Sequence, residues 1–274
     1  MEEKILHTST RPRLQPSTPP PVSTDTPAIS VEDLLLAFGS FVVMKDLTFD
    51  VESGEIFVIM GGSGSGKSTL LKHMIGLLRP SAGTVRLNGQ DLWAMDEEER
   101  SAMLRETGIL YQEDALWSTM TLAENVALPL REHTQLTQSD IDRIVSLKLA
   151  LVGLRGFESF YPHEISGGMQ KRAALARAIA LDPDVLFFDE PTSGLDPISS
   201  RRLDDLVLQL RDSLDTTIVV VSHDLESIFT IADRALYLDI TTKTMTALGP
   251  PKELRRNPPN ERVYHFLTRS LDDE

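Results

Sequence analysis

Gly61-Gly62-Ser63-Gly64-Ser65-Gly66-Lys67-Ser68 follows the apolar run at 56–60 and precedes Thr69, Leu70 and Leu71. The octet fits G-x-x-x-x-G-K-[ST], in the strand-then-helix setting that this pattern needs. Glycines let successive backbone N–H groups turn inward on phosphate oxygens, where side chains would clash. The start of the helix adds favourable partial charge. Lys67 is expected on the β- and γ-phosphates of a nucleotide, Ser68 on Mg²⁺, and Thr69 on the α-phosphate side. A flexible Gly/Ser linker would share the composition, but not the flanking strand and helix.

Outward from the loop, the runs at 185–188 and 218–221 repeat the pattern of 56–60: strand length, apolar throughout and without alternation. Strands covered on both faces of a parallel sheet read this way. Leu70, Leu71, Met74, Ile75 and Leu78 form one helical stripe, and Leu203, Leu206, Val207, Leu210 and Leu214 another. Strands alternating with helices predict a doubly wound α/β core. The stretch from about 95 to 177 carries helical signals such as Ile141, Ile144, Val145 and Leu149, and reads as a helical insertion between two core strands.

Two of these strands end in chemistry. The run at 185–188 leads into Asp189 and Glu190. Asp189 is placed to hold the Mg²⁺ shell and Glu190 to act as general base on the attacking water. An acidic turn after a strand is common, and the assignment draws its strength from the loop at 61–68. His223 follows the third run. A lone histidine there is usually structural, yet ligands of such sheets bind at strand C-termini, which assigns His223 to the γ-phosphate and its water.

The 274 residues suffice for one large α/β domain with a smaller subdomain. With 27 basic against 41 acidic residues, the net charge of −14 repels phosphodiester backbones and anionic lipid heads. Nucleic acid is therefore excluded as a partner, and attachment to a membrane calls for a protein partner. No cysteine is present, which rules out disulfides and thiolate metal sites. No apolar run approaches the roughly 18–20 residues of a membrane span, and a signal-peptide pattern is missing, so the chain is expected in the cytoplasm. Residues 1–27, rich in Pro, Ser and Thr, read as a disordered tail; a cloning remnant or a misplaced start codon would read the same way. Beyond Gly249 lies a polar, Pro-broken extension at 250–274 with one short helix near 262–271.

Ile165-Ser166-Gly167-Gly168-Met169-Gln170-Lys171-Arg172 resembles the signature motif of ATP-binding cassette (ABC) proteins. The likeness runs from about 31 to 249. Gln112 is similar to the Q-loop glutamine, Ser193-Gly194-Leu195-Asp196 to the D-loop and His223 to the H-loop. Phe38 stands where the family has an aromatic that stacks on adenine. A Gly-rich helix cap would explain Ser-Gly-Gly locally, but not the whole series in family order. The resemblance implies a P-loop cassette: a RecA-like α/β core with an antiparallel β edge sheet and an inserted helical subdomain. It implies Mg·ATP as cofactor, with Ser68, Gln112 and Asp189 at the metal. Two cassettes, this chain with a second copy or a paralogue, pair head to tail, with Ser166, Gly167 and Gly168 of one completing the ATP site of the other, and Asp196 of the D-loop is implied at the nucleotide. The reaction implied is ATP hydrolysis coupled to transport.

Met169 stands where the signature usually has Gln. Ser-Gly-Gly-Met variants occur in glycine-betaine type importers and in MlaF-like ATPases of MCE-type phospholipid transporters. The short extension after Gly249 disfavours the first. The stretch Asn125-Val126-Ala127-Leu128-Pro129-Leu130-Arg131-Glu132-His133-Thr134 is similar to the second. That likeness implies a membrane permease, an MCE lipid-binding protein and a place at the cytoplasmic face of the inner membrane. Leu116 and Trp117 either line the groove that receives the permease or pack into the core. The apolar stripe Val263, Phe266 and Leu267 either folds back on its own core or grips a second subunit or small accessory protein.

Overall fold

The computed structural model describes residues 26–112 and 115–270. Most of the tail at 1–27, Glu113, Asp114 and Leu271 fall outside these. In chain order the elements are β1 (Ile29–Phe38), β2 (Phe41–Val51), β3 (Ile56–Gly61), α1 (Lys67–Met74), β4 (Ala82–Leu87), β5 (Gln90–Asp91), α2 (Glu97–Leu104), β6 (Thr107–Leu110), α3 (Leu122–His133), α4 (Gln138–Leu151) and α5 (Gly167–Ala178). Then follow β7 (Val185–Asp189), α6 (Pro197–Leu214), β8 (Thr217–Val221), α7 (Leu225–Ile231), β9 (Arg234–Asp239), β10 (Thr244–Gly249), α8 (Pro251–Arg256) and α9 (Glu261–Thr268).

The core sheet has the order β10-β9-β3-β8-β7-β6, parallel except for β10 at its edge. The three apolar runs are its centre. Alternate residues of β3 explain why they do not alternate in polarity. Ile56, Val58 and Met60 enter a core under the helices α3 to α7, while Phe57 and Ile59 enter a second core with α1 and the other sheet. Both faces are apolar because both are covered, each large side chain contributing about 1.5–3 kcal/mol of burial. The second sheet, β2-β1-β4-β5, is antiparallel and closes on α1. Phe49 of β2 stacks on Phe57 of β3 at 5.5 Å and joins the two sheets. The expected antiparallel edge sheet is present.

The span from 95 to 177 is not wholly helical. It contains β6, which pairs with β7 in the core sheet from Thr107↔Val185 to Leu110↔Phe188. The strand has four residues, one of them Gly108, so it left little periodic signal. A Cβ on Gly108 would clash with the Ala178 carbonyl oxygen, so glycine permits the end of α5 to approach the strand. Helices α3, α4 and α5 pack against one another beyond that strand. Thr121 and Thr137 cap α3 and α4, accepting from Glu124 N–H and Asp140 N–H.

The extension also differs from expectation. It forms two helices, α8 and α9. Val263 and Leu267 are fully buried in the chain's own core, with Phe266 packed beside them. The apolar stripe packs on the chain's own core.

Candidate functional site

The loop after β3 takes its shape from close packing. A Cβ on Gly61 would come within 2.6 Å of the Leu238 carbonyl oxygen. Gly66 caps α1 at φ 84, and a Cβ there would meet Val43 Cγ1 at 2.9 Å. Lys67 is 8% exposed and donates from Nζ to the carbonyls of Gly61 and Gly62, both at 3.0 Å. Burial lowers its pKa; the carboxylates of Glu190 and Asp189 oppose that shift.

β7 lies two strands from β3 in the sheet, with β8 between them, and brings its carboxylates to the same end. Ser68 Oγ donates to Asp189 Oδ1 at 2.9 Å. Glu190 stands at φ 50, held by its N–H on the Val221 carbonyl at 2.9 Å. Its Oε2 lies 2.8 Å from His223 Nδ1. Gln112 is exposed, and its carbonyl accepts from Lys171 Nζ at 2.5 Å.

A cavity of about 950 Å³ gathers these groups. Phe38, Gly61, Gly62, Ser63, Gly64, Ser65, Gly66, Lys67, Ser68, Thr69, Gln112, Glu190 and His223 all line it. Asp189 reaches it through Ser68. Ser166, Gly167, Gly168 and Asp196 do not line it. Ser166 caps α5, accepting from Met169 N–H at 3.3 Å. Asp196 caps α6, accepting from Ser199 Oγ at 2.6 Å, which holds its carboxyl below the usual range. Gly168 and Ser199 are neighbours, 3.3 Å from a Cβ on the glycine to the hydroxyl. Signature and D-loop therefore adjoin each other, away from the phosphate loop of their own chain.

These residues fit Mg·ATP. Ser65 Oγ, within the loop, is buried without a hydrogen-bond partner, and the glycines leave space that a Cβ would fill. The oxygens of Ser68 and Asp189 are hard donors suited to Mg²⁺.

Reading the sequence missed Phe41, Val43, Leu225 and the end of α9, all on the cavity wall. Phe41 is 63% exposed, with Lys243 Nζ 5.1 Å from its ring. An exposed aromatic three residues from Phe38 was the available signal. Of the two residues read as either groove or core, Leu116 packs against the core and Trp117 is exposed. A groove of about 510 Å³ between β6 and α3 is lined by Leu104, Tyr111, Leu128, Pro129, Glu132 and His133 among others, but by neither of those two. Trp117 is exposed, and its backbone N–H is held at 2.8 Å by the buried Asn125.

The profile of the ABC transporter family matches residues 44–193. The MlaF intermembrane phospholipid transport ATP-binding protein of Haemophilus influenzae is 43% identical over 89% of this chain and 91% of its own. The Escherichia coli K12 MlaF protein is 41% identical over 87% and 88%. The probable ribonucleotide transport ATP-binding protein mkl of Mycobacterium leprae is 45% identical over 83% of this chain; the chain spans 65% of that relative's length. Among solved structures, cbiO1 of Clostridium perfringens, part of the cbiONQ ABC transporter complex, superposes with a TM-score of 0.78 at 26% identity, over 89% of this chain and 97% of its own. A dimeric cassette, MJ0796 in a post-hydrolysis state with ADP and Pi, gives 0.72 at 27% identity, over 81% and 98%. With the phosphate loop, the acidic strand end and the Ser-Gly-Gly cap now placed, the chain belongs to the ABC transporter family.

Proposed function

We propose that this chain hydrolyses ATP to ADP and phosphate as the motor subunit of a phospholipid transporter. The observation that carries the reading is the convergence of Lys67, the Ser68–Asp189 pair and the Glu190–His223 pair on one cavity. Glu190 takes the proton of the attacking water, and His223 holds Glu190 and the γ-phosphate side in place. Lys67 stabilises charge on the transferred phosphoryl group. Ser68, Asp189 and Gln112 would hold Mg²⁺, which would neutralise charge on the phosphates. Phe38 stacks on adenine.

Ser166, Gly167, Gly168 and Asp196 act in the site of a second copy, paired head to tail. Their place away from their own phosphate loop supports this, as do the dimeric cassettes among the solved relatives. The groove beside β6 and α3 is proposed to receive the permease, with Glu132 and His133 on its rim. Among the described residues no helix is long and apolar enough to cross a membrane, so the permease is what holds the chain at the cytoplasmic face of the inner membrane. An MCE lipid-binding protein and a small accessory protein complete the proposed complex, in a Gram-negative-type envelope. The MlaF relatives favour phospholipid over ribonucleotide as cargo, because they match nearly end to end while mkl does not.

The test is phosphate release from Mg·ATP by the purified chain, followed by lipid analysis of the complex it pulls from membranes. Phospholipid with a permease is expected. Full phosphate release by Lys67→Ala, or a complex with bound solute and no lipid, contradicts the respective part.

A further inference from the structure

The catalytic scheme leaves one wall of the ATP cavity unused. His265, Phe266, Arg269 and Ser270, from the last turn of α9 and just past it, line the cavity with the phosphate loop. Their seat is well anchored. Val263 and Leu267 are buried, Phe266 meets Tyr237 edge-on at 5.2 Å, and Arg262 pairs with Asp239 at 2.9 Å. Asp239 ends β9, whose Leu238 is in register with Gly61. The helix is therefore tied to the strand beside the one that launches the loop. Ser270 Oγ lies 2.9 Å from His265 Nδ1 and 2.7 Å from Thr268 Oγ1, which closes the last turn.

Charge singles out one residue on this wall. A triphosphate entering a chain of net charge −14 needs cations at the site itself. Of the residues lining the cavity, Lys67 and Arg269 carry permanent positive charge, and Lys67 already donates to two loop carbonyls. Arg269 is the C-cap of α9, in the left-handed region at φ 54. It also lines a neighbouring cavity of about 280 Å³, with the carboxyls of Asp204, Asp224 and Glu226 and the cation of Arg201. Asp224 follows His223 directly. Arg269 thus stands on the partition between the phosphate site and a carboxyl-rich pocket, beside the histidine assigned to the γ-phosphate.

We propose that Arg269 is a second phosphate-binding cation of the ATP site, supplied by the C-terminal extension of the same chain, and that it distinguishes ATP from ADP by pairing with the terminal phosphate. The inference rests on the Mg·ATP reading above. A guanidinium suits the task, because its planar fork gives two donors to one phosphate. Asp204, Asp224 and Glu226 line the neighbouring cavity with Arg269, and the terminal phosphate lies on the other side of that partition.

The experiment is calorimetric titration of the full chain with Mg·ATP and with Mg·ADP. Arg269→Gly suits the left-handed backbone, Arg269→Lys keeps the charge, and Lys67→Ala serves as control. Arg269→Gly is expected to weaken ATP about tenfold, as loss of a charged hydrogen bond does, and ADP less than about twofold. Arg269→Lys should recover part of the loss. If Arg269→Gly binds both nucleotides like the unaltered chain while Lys67→Ala binds neither, the Arg269 inference falls and the phosphate-loop reading stands. Equal weakening of ATP and ADP removes the terminal-phosphate contact. Unaltered ATP binding by Lys67→Ala overturns both.

Discussion

Glu190 Oε2 and His223 Nδ1 stand 2.8 Å apart, the carboxylate buried and the imidazole exposed. Glu190 is held there in a left-handed backbone conformation, φ 50, that costs a non-glycine residue about 1–2 kcal/mol. The bond from its N–H to the Val221 carbonyl, and from Ser193 N–H to its own carbonyl, fix that turn. Such a conformation persists where surrounding structure over-determines it.

Glu190→Gln retains shape and loses the base. ATP hydrolysis should fall by about 10²–10⁴-fold, the usual share of general base catalysis, with ATP binding intact. Phosphate release and nucleotide titration on the same sample check it. Hydrolysis within about threefold of the unaltered chain would remove Glu190 from the base role.

Phe38, Phe41 and Phe266 border the cavity, and of these only Phe38 was expected there. If the base stacks on Phe38, then Phe38→Ala should weaken ATP about tenfold, in keeping with the worth of base–aromatic stacking. Phe41→Ala should change it less, because Phe41 already faces Lys243. Fluorescent-nucleotide binding separates the two, and the opposite order would move the adenine to Phe41.

Gly66 tests the loop. With φ 84 and Val43 Cγ1 2.9 Å from any Cβ, Gly66→Ala must shift either the loop or β2. A loss of ATP affinity greater than the loss of thermal stability is expected. A variant that binds like the unaltered chain would show that the loop tolerates the displacement.

Asp204 gives a pH signature. Burial pushes its carboxyl from 3.8 up to about 6, with Asp224 adding to the rise and Ser227 Oγ and Arg201 opposing it. From about pH 4 to pH 6 the folded chain keeps a proton that the unfolded chain releases, so stability falls as pH rises through that window. Asp204→Asn keeps an oxygen for Ser227 and removes the charge. Its melting temperature should match the unaltered chain near pH 4, exceed it increasingly up to about pH 6, and keep a constant margin above that. A constant difference across the range would contradict this.

What could be read in the sequence follows from how locally each feature is encoded. The strands at 56–60, 185–188 and 218–221 were legible because both faces are covered, which writes burial into consecutive residues. The phosphate loop was legible because one contiguous octet makes it. Glu190 and His223 were legible as ends of those strands. β6 was not, since four residues with a glycine leave no period. Phe41 and Arg269 were not, because they reach the cavity only through tertiary packing: Phe41 by the pairing of β1 with β2, and Arg269 by the docking of α9 on β9. In sequence they look like an edge-strand aromatic and a charge in a polar extension.

On the proposed head-to-tail pairing, one chain holds half of each ATP site. Ser166 is exposed at the start of α5 and does not line the cavity of its own phosphate loop. Mixing Lys67→Ala chains with Ser166→Arg chains tests this most directly. Each variant alone spoils both sites of its dimer, whereas the mixed dimer has one site with Lys67 from one chain and Ser166 from the other. Phosphate release should be near background for each variant alone and should reappear on mixing. No recovery from a mixture shown to form mixed dimers, or full activity of Ser166→Arg alone, would contradict the shared site.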